Sequence, residues 1–262
     1  MIDSHAHIDG PEFADDLADV IARARANGIR AILLPAINAD SSATVAAVCR
    51  QYPNYAFPML GLHPEEVKED SGTQLDAIYA TLTSTATAPR PIAIGEVGLD
   101  FYWSREFERE QLQAFERQVE WSIQLRLPLM IHCRKAQNEM VRLLRHYASE
   151  LPGGVFHCFT GNEKEAAELL QFERFALGIG GVFTFKKSPL PALLPQHLPL
   201  ERLVLETDSP YMAPVPMRGK RNEPSFVAII AQAVAQAYNV SIEELSRQTD
   251  SNIERIFGIS LP

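Results

Sequence analysis

Short runs rich in Val, Ile, Leu and Phe alternate with longer stretches of helical period from one end of the chain to the other. This rhythm limits the fold more than any single residue does. Eight such runs are predicted as strands, at 1–5, 29–35, 55–63, 91–96, 128–132, 154–157, 175–180 and 203–208. Eight βα units in 262 residues match the α/β class and, within it, the (β/α)8 TIM-type barrel, which takes about 250 residues. A doubly wound open sheet shares the rhythm, but no Gly-x-Gly-x-x-Gly loop follows the first strand. No internal repeat, low-complexity tract or flexible linker offers a boundary, so a single barrel domain is expected over 1–262. A chain that is 46% hydrophobic and 22% charged can fill such a core, and disordered chains cannot.

The helical stretches carry their own signals. Over 104–126, Leu112, Phe115, Val119 and Ile123 recur at spacings of three and four, Ser104 is placed to cap, and Glu106, Glu108 and Glu110 suit the positive end of the dipole. After Pro224, an apolar stripe from Phe226 through Ile230 and Val234 to Ala237 predicts another helix. Ser241 with Glu244 three later forms a capping box for an extra C-terminal helix ending at Gly258. Between the last two strands, Pro189, Pro191 and Pro195 keep the helix short or broken.

Several classes are excluded. No uncharged apolar run reaches about 18 residues, and Met1-Ile2-Asp3-Ser4-His5 lacks the basic-then-apolar order of an export signal. Three cysteines, an odd number, suit a reducing compartment better than a disulfide framework. A cytoplasmic protein with no membrane association and no obligate protein partner is expected. The formal charge of −9 argues against a basic coat for nucleic acid, so a polyanionic substrate would need local attraction.

The chemistry gathers at the strand ends. His5 and His7 close the first predicted strand, Glu96 the fourth, His132 the fifth, His157 the sixth and Asp208 the eighth. A barrel brings the C-terminal ends of its strands into one mouth, where residues scattered over the sequence converge. His5 and His7, separated by one position, share a strand face and can grip one ion. Six ligands exceed what one tetrahedral ion uses, and a carboxylate can bridge two. The expectation is therefore two divalent ions, with Glu96 as bridge, His5, His7 and Asp208 completing one site, and His132 and His157 the other. A hydroxide between the ions would be the nucleophile, with Asp208 able to take a proton. Four imidazoles favour Zn, Mn, Fe or Co over an all-oxygen Mg site, without fixing the metal.

The neighbours follow from the same alternation of faces. Asp3 and Glu206 share faces with ligands and are expected to hold them in place. Cys133 and Cys158 are expected to point away, toward the helical layer, as packing residues. His63, in Gly61-Leu62-His63-Pro64, is expected to touch substrate rather than metal. Arg134, beside a ligand, suits a phosphate clamp, and Lys220 and Arg221 in the loop after the last strand are expected to attract a phosphodiester backbone. His146 and His197 are assigned no role.

Taken together, Asp3-Ser4-His5-Ala6-His7-Ile8-Asp9, Gly61-Leu62-His63-Pro64, Gly95-Glu96-Val97-Gly98-Leu99-Asp100, His132-Cys133-Arg134, His157-Cys158-Phe159-Thr160-Gly161, Glu206-Thr207-Asp208-Ser209-Pro210-Tyr211 and Arg221-Asn222-Glu223-Pro224 resemble the TatD family of metal-dependent deoxyribonucleases, in order and over almost the whole chain. The resemblance implies an amidohydrolase-like barrel, divalent metals and hydrolysis of DNA phosphodiester bonds, often from the 3′ end, with single strands or 3′ ends as substrate. The family's ligands map onto His5, His7, Glu96, His132, His157 and Asp208. The alternative is a metal-dependent amide, lactone or aminoacyl-ester hydrolase on the same barrel. Many amide-cleaving relatives carry a carbamylated lysine where this chain has Glu96, which favours phosphoryl chemistry. A non-enzymatic scaffold would tolerate lost ligands, and none is lost.

Overall fold

The computed structural model describes residues 1–69 and 71–260; positions 261 and 262, the last of the expected domain, lie outside the described residues. Eight parallel strands pair in chain order: β1 (Ile2–Asp3), β2 (Ala31–Pro35), β3 (Ala56–Leu60), β4 (Ala93–Asp100), β5 (Leu129–Arg134), β6 (Gly154–Phe156), β7 (Phe175–Ile179) and β8 (Leu203–Leu205). The last strand returns to the first through Ser4 N–H to Leu205 O at 3.0 Å, Asp208 N–H to His5 O at 2.9 Å and His7 N–H to Ser209 O at 2.8 Å. These bonds close the sheet into the expected barrel.

Helices α1 (Leu17–Ala26), α2 (Ala39–Gln51), α3 (Ser71–Thr83), α4 (Glu108–Leu125), α5 (Gln137–Tyr147), α6 (Glu163–Leu169), α7 (Leu190–His197) and α8 (Val227–Tyr238) surround it, and α9 (Ile242–Phe257) is the extra C-terminal helix. None of them, among the described residues, is by itself long and apolar enough to cross a membrane. Ser241 caps α9 by accepting the Glu244 N–H at 3.1 Å, and Gly258 ends it at φ +64. With Pro195 inside it, α7 stops after 8 residues. Ser104 does not cap α4: it accepts the Glu106 N–H in a preceding turn, and the helix begins after Phe107.

Alternation within the strands divides the core in two. Ile32, Leu34, Ile94, Ile131 and Leu177 pack outward against the helices. Ile2, Ala31, Leu33, Met59, Met130 and Val204 fill the barrel interior, where Ile253 and Phe257 of α9 join them. The strand ends are thereby left free for chemistry at the opposite rim.

Six ladders are shorter than the apolar runs suggested, and β4 and β5 are longer. β1, β6 and β8 stop before their histidines and Asp208. β4 instead continues four residues past Glu96, with a register shift between Ile94 and Val97. Gly98 permits this, since its φ is +141 and a Cβ there would lie 1.9 Å from the His132 carbonyl oxygen.

Phe257 is 5% exposed and closes the inner core. Its replacement by Ala is expected to cost about 3–5 kcal/mol, read by urea unfolding, with metal content of the folded protein unchanged. A loss below about 1 kcal/mol would show that α9 does not seal the barrel.

Candidate metal centre

Glu96 lies at the centre of the mouth, its side chain 3% exposed. Its Oε2 is 3.1 Å from His5 Nε2 and 3.3 Å from His7 Nε2, while its Oε1 is 2.9 Å from His157 Nε2, 3.1 Å from His132 Nδ1 and 3.2 Å from His63 Nε2. The two oxygens thus face two different sets of imidazoles. Asp208 Oδ1 stands 3.8 Å from both His5 Nε2 and His7 Nε2, which are 3.1 Å apart. His132 Nδ1 and His157 Nε2 are 3.2 Å apart. Ligands around a tetrahedral ion with bonds near 2.1 Å lie about 3.4 Å from one another, so these spacings suit shared cations better than direct pairing. His5, His7 and Asp208 form one group able to hold an ion, and His5, Glu96 and His157 another.

A carboxylate so buried would ordinarily be protonated. Burial alone pushes Glu96 up, yet His63, His157 and His5 around it hold it well below the usual carboxylate range. Burial also pushes the Asp208 carboxyl up, to about 6. For His5, burial and the neighbouring His157 both disfavour the charged form.

Hydrogen bonds on the far side of two rings separate their roles. His132 Nε2 lies 2.9 Å from Asp100 Oδ2, and a carboxylate can only accept there, so the Nδ1 lone pair is left free toward Glu96 and His157. His63 Nδ1 accepts the Glu65 backbone N–H at 3.1 Å, so its neutral ring carries the proton on Nε2. Although His63, Glu96 and His132 also cluster, His63 is built as a donor and His132 as a ligand.

Asp3 holds backbone, and Glu206 holds backbone and also faces the His157 ring. Asp3 accepts the N–H groups of Thr207 at 2.9 Å and His5 at 3.3 Å, plus the Thr207 hydroxyl, and so pins the seam carrying His5 and Asp208. Burial pushes its carboxyl up to about 8 against those bonds. Glu206 accepts the Cys158 N–H and lies 3.7 Å from His157 Nδ1.

Sequence reasoning missed three supporting residues. Asp100 lay beyond the predicted end of β4. Gln111 and Gln118 of α4, one heptad apart, clamp strand-end backbone: Gln111 bonds both N–H and C=O of Asp100, and Gln118 both of Leu62, next to His63. Two glutamines on a buried helix face were the available signal.

The mouth opens into a cavity of about 850 Å³ lined, among the described residues, by five further carboxylates, Asp9, Glu12, Asp40, Glu65 and Glu66, and by one Lys or Arg, Arg134. Lys220 and Arg221 do not line it. Contrary to expectation, Arg221 is committed elsewhere: it grips Asp16 through two bonds of 2.9 and 2.7 Å and lies over the Phe13 ring. Lys220 is exposed. Of the cysteines, Cys133 keeps the expected packing against the outer core, while Cys158 departs from the expected face. Both border the cavity, because Cys158 falls beyond β6, where strand alternation no longer applies, with φ +50, and Cys133 sits at the rim end of β5. Cys133 still packs against the outer core, neither joins a ligand cluster, and burial keeps both thiols protonated, Cys133 up to about 12.

A closed α/β barrel whose mouth gathers imidazoles around a buried carboxylate defines a metal-dependent hydrolase. Residues 2–258 match the family described as TatD related DNase, and the chain belongs to it. It is 32% identical over 260 residues to the metal-dependent hydrolase YabD of Bacillus subtilis, covering 99% of this chain and 100% of that one. It is 34% identical over 266 residues, with 99% and 100% covered, to the 3′-5′ ssDNA/RNA exonuclease TatD of Pectobacterium atrosepticum. The crystal structure of YJJV, a TatD homologue from Escherichia coli, superposes with a TM-score of 0.89 at 28% identity, over 99% of this chain and 98% of that one.

Asp100→Ala is expected to lower metal affinity about 10- to 100-fold by releasing the His132 ring, whereas Cys133→Ser leaves metal content unchanged. Chelator competition on the purified variants measures both. The reverse pattern would reassign the ligands.

Proposed function

We propose that the chain acts as a single barrel domain that hydrolyses nucleic-acid phosphodiester bonds at a centre for two divalent ions, removing nucleotides from 3′ ends of single strands. His5, His7 and Asp208 would hold one ion, His132 and His157 the other, and Glu96 both. The observation that carries this reading is the division of the Glu96 oxygens between the two imidazole sets. Bound divalent ions supply charge neutralisation at the scissile phosphate and lower the pKa of water. The protein's own groups do the rest. Glu96 fixes the two sets relative to one another, and Asp208, at the open side, receives the proton of the attacking water. His63 presents its Nε2–H to an oxygen of the phosphate, and Arg134 offers its guanidinium to the same group.

The exonucleolytic direction is supported by the name of the Pectobacterium relative and by the lining of the mouth. The carboxylates belong to the segments after β1, β2 and β3, and Arg134 ends β5, which is separated from β3 by β4 in the strand order. A phosphate chain threading across the mouth would meet the acidic segments, whereas a strand end approaching over Arg134 would not. A cytoplasmic enzyme meeting its substrate as free or exposed ends fits this geometry.

The test uses protein stripped with EDTA and reloaded with Mn, Zn, Mg, Fe or Co, given single-stranded DNA and RNA labelled at either end, beside amide, lactone and aminoacyl-ester substrates. Mononucleotide release from the 3′ end is expected, with Glu96→Ala folded but slower by more than about 100-fold. Hydrolysis of the amide or ester panel without nucleic-acid cleavage would overturn the reading.

A further inference from the structure

We propose that Trp103, backed by Tyr102 and Arg134, is the platform on which a single-stranded substrate stacks a base next to the scissile phosphate. The proposal rests on the nuclease reading above and identifies the feature that would select unpaired ends.

Six large apolar side chains are exposed among the described residues, and Trp103, at 71%, is the most exposed of them. A hydrophobic ring left in water at the edge of a polar cavity is a candidate contact for a ligand with an apolar face. Trp103 lines the same cavity as Glu96, His132 and Asp208. Its ring meets Tyr102 edge to face at 4.8 Å between centroids, so the pair offers a braced surface rather than a loose side chain.

The platform is tied to the centre by one carboxylate. Asp100 Oδ1 accepts the Tyr102 backbone N–H at 2.8 Å while Oδ2 faces His132 Nε2 at 2.9 Å. The start of the 101–107 loop is thereby set against the ligand ring. The Arg134 guanidinium lies 3.6 Å over the Tyr102 ring and 5.4 Å from that of Trp103. Cation and rings therefore form one unit, which suits a ligand that presents an anionic phosphate and a flat base side by side. The carboxylates that line the cavity after β1, β2 and β3 would repel phosphate, which leaves the strand end near Arg134 as the favourable approach. A paired base already has stacking and hydrogen-bonding partners, and stacking on Trp103 would require it to leave them.

Intrinsic fluorescence reads the contact directly, because the chain has 2 tryptophans and Trp121 is buried, 5% exposed. The probe is an oligothymidylate with 3′ phosphorothioate linkages, titrated into the metal-loaded protein. A control oligomer carries abasic residues at its 3′ end. The thymidylate is expected to quench the Trp103 emission and the abasic control to leave it unchanged. Trp103→Ala should weaken thymidylate binding about 5- to 150-fold and raise KM more than it lowers kcat, with Trp103→Phe retaining most of the affinity. Binding of the abasic oligomer should be the same in Trp103→Ala as in the unaltered protein. Unchanged thymidylate affinity in Trp103→Ala, or equal quenching by both oligomers, overturns the platform while leaving cleavage by the unaltered protein intact. Failure of the unaltered protein both to bind and to cleave any oligonucleotide removes the nuclease reading, and the platform with it.

Discussion

Five imidazoles lie within 3.3 Å of one buried carboxylate, Glu96, and the rest of the molecule can be understood as the means of keeping them there. An isolated carboxylate and several imidazoles at this depth would each be costly to desolvate. Gathered around cations, they satisfy one another. The protein must supply the gathering in advance, because the rings come from separate strand ends and each end must be fixed. Asp3 and Thr207 fix the seam, Asp100 fixes His132, and Gln111 and Gln118 fix backbone beside Asp100 and His63. Burial of α9 under the opposite end of the barrel leaves this rim with chemistry as its sole task.

The division between what sequence revealed and what it did not follows this construction. The barrel, its eight strands and the extra terminal helix were readable because apolar period is a property of neighbouring residues. His5, His7, Glu96, His132, His157 and Asp208 were readable as a set because the fold places strand ends together. The supporting contacts were harder. Asp100 depends on β4 and β5 running on together past the other strand ends, and nothing local marks that. Cys158 was placed on the wrong face because two-residue alternation was carried past the end of β6. Arg221 looked like a free cation in a basic run, yet its partner, Asp16, is 205 positions away.

The charge of the mouth also corrects a simple picture. Basic residues following strand ends suggested a ring of cations around the substrate. Among the described residues, the cavity instead has, besides Glu96 and Asp208, five acidic side chains from the segments after the first three strands and Arg134 as its single Lys or Arg. On the proposed reading, attraction of a polyanion falls to bound cations and to Arg134, and the carboxylates disfavour a phosphate chain along the first three loops.

The account depends most on Glu96 serving two ions at once, and the direct measurement is anomalous diffraction from crystals of the metal-loaded protein at the absorption edge of the metal. Two peaks are predicted, one between Glu96 Oε2, His5, His7 and Asp208, the other between Glu96 Oε1, His132 and His157. A single peak, or a peak bonded to His63 Nε2 in place of His132 Nδ1, would contradict it.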